Sequence, residues 1–127
     1  VQIDMPSSII DIKENAFEKC KSLLKVIIPP LVTKNRENVF SQCSSLKKKN
    51  SISSNKIKER SFFGCFSLKC IDIPPSVTLI NESALEDCSS LVKIKNPLSV
   101  TKIQECSFSN CSSLTEIQIS STIEDDI

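Results

Sequence analysis

Apolar residues recur in this chain on a period near 23, far longer than the short periods of a single helix or strand. Cysteines at 20, 43, 65, 88 and 111 set the frame, at intervals of 23, 22, 23 and 23. Two residues after each stands a Ser (Ser22, Ser45, Ser67, Ser90, Ser113), and three after each a Leu (Leu23, Leu46, Leu68, Leu91, Leu114). The sixth position reads Val26, Lys49, Ile71, Ile94 and Ile117, and the eighth Ile28, Ser51, Ile73, Asn96 and Ile119. Pro29, Pro74 and Pro97 follow at the ninth. Three before each Cys come Phe17, Phe40, Phe62, Leu85 and Phe108; eight before come Ile12, Asn35, Ile57, Ile80 and Ile103. Partial copies at both ends carry Ile3 and Met5, and Ile119 and Ile123.

Each copy predicts the same local structure. Leu-x-x-Ile-x-Ile alternates at its end, as a strand with one buried face does, and the Pro closes it by withholding a donor. An apolar pair such as Val77 and Ile80 follows on a return segment. Ala-Phe-x-x-Cys has helical spacing, so a single helical turn is expected over Asn15–Cys20 and again over Glu82–Cys88. One copy buries little alone; parallel stacking makes inward ladders, with strands about 4.8 Å apart and a stack roughly 25–30 Å long.

The run Ile73-Pro74-Pro75-Ser76-Val77-Thr78-Leu79-Ile80, then Ser83-Ala84-Leu85-Glu86-Asp87-Cys88-Ser89-Ser90-Leu91, resembles the BspA-like leucine-rich repeat family. Pro97 to Leu114 and Met5 to Pro29 repeat it. The resemblance implies an α/β leucine-rich repeat solenoid: parallel strands on the concave face, short return segments, and single helical turns on the convex side. It also implies an adhesion or protein-interaction scaffold. Residues 1–127 read as one array of about 5.5 repeats, a piece of a longer one. A degenerate repeat is expected near 43–64: Lys49, Ser51, Asn35 and Ser54 fall in core columns and one residue is missing, so the sheet should weaken or kink near 47–56. Without polar capping repeats, the ends are expected to fray or to associate end to end.

Composition narrows the function. Net charge is +1, with 39% hydrophobic and 24% charged residues, so no strong field attracts nucleic acid or an anionic membrane. No apolar run is long enough to span a bilayer. With no His there is no common general base or metal ligand, and one Gly excludes a glycine-rich phosphate loop. An enzyme is therefore not expected, nor a cofactor or metal. The single Gly64 also predicts few left-handed turns, carried by Asn and Pro.

Five of the seven cysteines share one column, which predicts a ladder of small buried thiols. Laddered side chains point the same way and seven is odd, both of which oppose disulfides. Cys65 with Cys70 and Cys106 with Cys111 are five apart, but the four cannot converge on zinc within a stack. Cys70 and Cys106 are the candidates for accessible thiols. Unpaired cysteines point to the cytoplasm, with the cell surface as the alternative.

A protein partner is expected on the concave face, at the fifth and seventh positions after each Cys. The candidates are Lys25, Ile27, Lys48, Asn50, Asp72, Lys93, Lys95 and Gln118, a mixed strip without the continuous basic, aromatic-studded stripe of a nucleic-acid binder. Phe63 and Phe66 occupy slots that are polar in the other repeats; they read equally as an exposed contact patch or as filling for the defective repeat. The expected function is a non-enzymatic protein–protein interaction scaffold with a segment of a cell-surface adhesin as the alternative.

Overall fold

The computed structural model describes residues 1–28, 36–49, 55–95, 97–115 and 124–125. Two sets of parallel strands run along the stack. On the concave side, β1 (Gln2–Asp4), β2 (Lys25–Ile27) and β3 (Lys48–Lys49) form one sheet. On the return side lie β4 (Lys56–Ile57), β6 (Leu79–Ile80), β8 (Lys102–Ile103) and β9 (Glu124–Asp125), in that order. The concave side continues with β5 (Cys70–Asp72) and β7 (Lys93–Lys95) as a pair. Every pairing among them is parallel and follows the repeat register, with Ile3 opposite Val26, Ile71 opposite Ile94, and Ile57, Ile80 and Ile103 in line.

Alternation decides what is buried. Val26, Ile71 and Ile94 at strand centres face inward, while Ile27, Asp72, Lys93 and Lys95 face solvent. Leu23, Leu46, Leu68 and Leu91 make one inward column and Ile12, Ile57, Ile80 and Ile103 another. Phe17, Phe40 and Phe62 stack in a third, with ring centroids 5.6 and 5.8 Å apart and planes within 13°. Each fully buried ring or branched chain contributes roughly 1.5–3 kcal/mol.

The turn side departs from the expected helical turns. Among the described residues the one helix is a single 3₁₀ turn, Pro97–Ser99. Instead, each Ala-Phe-x-x-Cys segment is a run of overlapping β-turns. In the first repeat the Ala16, Glu18, Cys20 and Leu23 N–H groups bond back three residues, to the carbonyls of Lys13, Asn15, Phe17 and Cys20. The intervening N–H groups leave the repeat: Asn15, Phe17 and Lys19 donate to Glu37, Val39 and Ser41 of the next. The same triplet recurs from Asn38, Phe40 and Gln42 to Glu59, Ser61 and Phe63, and onward at both later interfaces. A helix cannot do this, because all its N–H groups point one way.

Reversing alternate peptides requires left-handed residues, and two columns supply them. Five and one residues before each Cys, φ is positive: Asn15 and Lys19, Asn38 and Gln42, Arg60 and Gly64, Ser83 and Asp87, Cys106 and Asn110. The expectation of few left-handed turns is thus wrong. The position, not the residue type, imposes the conformation, and only three of these ten residues are Asn. Gly64 is well matched: φ is +69°, and a Cβ there would meet the Gln42 side chain at 3.4 Å.

At the degenerate repeat β3 pairs with β2, and among the described residues no pairing between β3 and β5 is found, so the described concave strands form two sheets. Ser51, Ser54 and Asn35 lie outside the described residues. The turn side of the same interface keeps its three backbone bonds.

The left-handed columns yield a stability test. Lys19 is exposed at φ 59°, where a Cβ costs about 1 kcal/mol or more. Lys19→Gly is expected to raise stability by about 1 kcal/mol in denaturant titration, net of the entropy glycine loses. Lys19→Val is expected to lower it.

Candidate functional site

The concave strip is built from the two outward residues of each strand. Register places Gln2 opposite Lys25 and Lys25 opposite Lys48; Asp4 faces Ile27. In the second sheet Cys70 lies opposite Lys93 and Asp72 opposite Lys95. The structure thus gathers Lys25, Ile27 and Lys48 on one sheet and Asp72, Lys93 and Lys95 on the other. Asn50 and Gln118 lie outside the described residues. The residue before each strand is also exposed: Leu24, Lys47, Lys69 and Val92 border the strip.

Phe63 and Phe66 separate. Phe63 is half-buried with the Arg60 guanidinium 4.4 Å above its ring, a cation–π arrangement. Phe66 is 49% exposed. Both are on the turn side, away from the strand columns of the concave strip.

The cysteine column does more than fill space. Cys43 Sγ donates to the Phe17 carbonyl at 3.0 Å, Cys65 to Phe40 at 3.2 Å, Cys88 to Phe62 at 3.2 Å and Cys111 to Leu85 at 3.1 Å. Each of those carbonyls also accepts the N–H of its own repeat's Cys. The thiol is therefore a weak donor that ties one repeat to the one before it. Burial pushes the Cys43 thiol up to about 11 and Cys88 up to about 12, and Cys111 is raised for the same reason. All seven cysteines are free; Cys70 and Cys106 are half-buried. Among the described residues no three His, Cys, Asp or Glu side chains converge on a metal position.

The acids are ordered, which sequence reasoning missed. Six residues before each Cys stands Glu14, Glu37, Glu59, Glu82 and Glu105. The backbone carbonyls of the last four accept the inter-repeat bonds of the turn ladder. The column is visible in the sequence but is hidden from a search guided by apolar positions. Asp11 is different. Arg36 holds it by a forked pair at 3.3 and 3.0 Å, with Lys13 at 3.2 Å, and these cations lower its carboxyl to about 2.

The family model for the BspA type leucine rich repeat region matches in six copies, over residues 1–55 and 49–125. The chain belongs to this family. Among solved structures, this BspA-type array is similar to a leucine rich cell surface protein from Faecalibacterium prausnitzii, 36% identical with a TM-score of 0.89. That match covers 94% of this chain and 32% of the other, so the array spans about a third of that protein's length. The pneumococcal vaccine antigen PcpA (18% identical, TM-score 0.77, 98% of this chain and 32% of that one) shares the fold. So does a leucine rich repeat protein from T. pallidum (22%, 0.71, 89% and 66%). No curated protein matches the sequence. Among the described residues no helix is long and apolar enough to cross a membrane.

Two measurements follow. Cys88 has its thiol raised from 9.0 to about 12, so its contribution to stability is fully present below pH 9 and disappears as pH rises towards 12. Cys88→Ala is expected to be less stable than the parent at pH 7 but to lose less stability between pH 9 and 12 in urea titrations. Parallel curves for the two proteins would show that the buried thiol is not what titrates. Separately, Phe66→Ser is expected to change stability by no more than about 0.5 kcal/mol. Phe63→Ser, which removes a half-buried ring and its cation–π partner, is expected to cost about 1–2 kcal/mol.

Proposed function

We propose that this array is a non-enzymatic scaffold that binds a protein partner through its concave strand face. The observation behind this reading is the register: Lys25 with Lys48, Cys70 with Lys93, and Asp72 with Lys95 stand side by side on short strands held by an inward core. Rigid elements that repeat along one axis present such residues at fixed spacing, which favours recognition of an extended surface over a small molecule.

The second reading is a segment of a cell-surface adhesin. It is favoured by the likeness to a leucine rich cell surface protein at 36% identity. The buried Cys43 and Cys88, which as unpaired thiols argue for the cytoplasm, weigh little against it once their setting is known. The thiolate is the reactive form, and thiols raised to about 11 and 12 remain protonated in either compartment. We therefore prefer the cell surface to the cytoplasm.

Photo-crosslinking tests the face used. A benzophenone side chain placed at Ile27 or Lys93 on the full chain is expected to give discrete adducts in cells of the source organism, absent from probes at Glu18 or Glu82. Equal adducts from both sides would overturn the concave-face reading. Adducts formed on intact cells with an impermeant probe would place the array outside; adducts formed only after lysis would place it inside.

A further inference from the structure

Net charge hides a segregation. Among the described residues, the outward strand columns and the position before each strand hold six lysines, Lys25, Lys47, Lys48, Lys69, Lys93 and Lys95, against two acids, Asp4 and Asp72. The chain as a whole has 16 basic and 15 acidic residues, so the acids are displaced elsewhere. A Glu stands in one turn-side column of every repeat from Glu14 to Glu105. Lys47, Lys69, Lys93 and Lys95 are exposed.

We infer that the concave strip takes an acidic polypeptide segment that carries aliphatic side chains; this deepens the concave-face reading and rests on it. Charge complementarity supplies the acidic requirement: Lys25 and Lys48 are register neighbours about 4.8 Å apart, and the exposed Lys47, Lys69, Lys93 and Lys95 extend the basic bias along the strip. The aliphatic requirement comes from Leu24 and Val92, 44% and 46% exposed at the strip's border, and from Ile27 at 36% on the strip itself. A nucleic acid fits less well: the described strip has no Arg and no aromatic on which a base would stack.

Fluorescence anisotropy with a labelled 14-residue peptide of Asp and Glu interspersed with Leu tests this directly on the full chain. Binding is expected, with affinity falling at least tenfold between 50 and 300 mM NaCl. Lys93→Glu with Lys95→Glu is expected to weaken it at least tenfold; Leu24→Ser with Val92→Ser, at least threefold. Lys19→Glu with Lys21→Glu on the turn side is expected to leave it unchanged. Circular dichroism confirms that each variant is folded. No binding at millimolar protein, or equal binding by the strip and turn-side variants, overturns the inference. Tighter binding of single-stranded DNA with the same lysine dependence also overturns it, in favour of a nucleic acid. If the peptide fails while cross-links still map to Ile27 and Lys93, the acidic partner falls and the concave-face reading stands.

Discussion

The structure depends on where alternate backbone N–H groups point in the turn of each repeat. Five, three and one residues before the Cys they bond along the stack; at the positions between, they bond within it. Each such bond contributes about 0.5–1.5 kcal/mol net, so three per interface are stabilisation that a lone repeat, with these donors facing water, does not have. To aim them, two residues per repeat must adopt the left-handed conformation, at about 1 kcal/mol or more for each side chain that is not Gly. The strain is local and the bonds that offset it come only from the neighbouring repeat. The array is therefore cooperative along its axis rather than a string of independent units.

The same constraint explains the cysteine. The carbonyl three residues before it already accepts the Cys N–H and has a second lone pair facing the next repeat. The side chain that meets this lone pair must be small, able to donate, and tolerant of burial. A thiol meets all three conditions, whereas alanine cannot donate and serine is more costly to bury. At the interface between the second and third repeats the described attachments lie on the turn side. That interface keeps its turn ladder, the Cys65 thiol bond and the Phe40–Phe62 stack.

What was legible in the sequence was whatever depends on burial. The inward columns of Leu, Ile, Phe and Cys, and the alternation that turns Lys93 and Lys95 outward, follow from apolar spacing alone. The turn was misread because Phe and Cys three apart suit the ends of a β-turn as well as one face of a helix. Left-handed positions occupied by Lys19, Gln42, Arg60 and Cys106 carry no signal in residue type, since tertiary bonding imposes the conformation. The glutamate column was legible in principle: it keeps perfect register, but it lies on the surface, where apolar patterning is silent.

That column bears on why a nearly neutral chain has polar faces. A backbone carbonyl that accepts an inter-repeat bond needs nothing from its side chain, so the glutamates are not required by the turn ladder. Stacked about 4.8 Å apart they repel, and a fold selected for stability alone would mix the signs along each column. On the strip the columns are mixed: Lys25 adjoins Lys48, but Lys93 adjoins Cys70 and Lys95 adjoins Asp72. Alternating Lys and Glu within the glutamate column would relieve it at no cost to the core, because its positions do not face inward. The repulsion within the glutamate column is therefore a cost that the backbone bonds of the turn ladder outweigh.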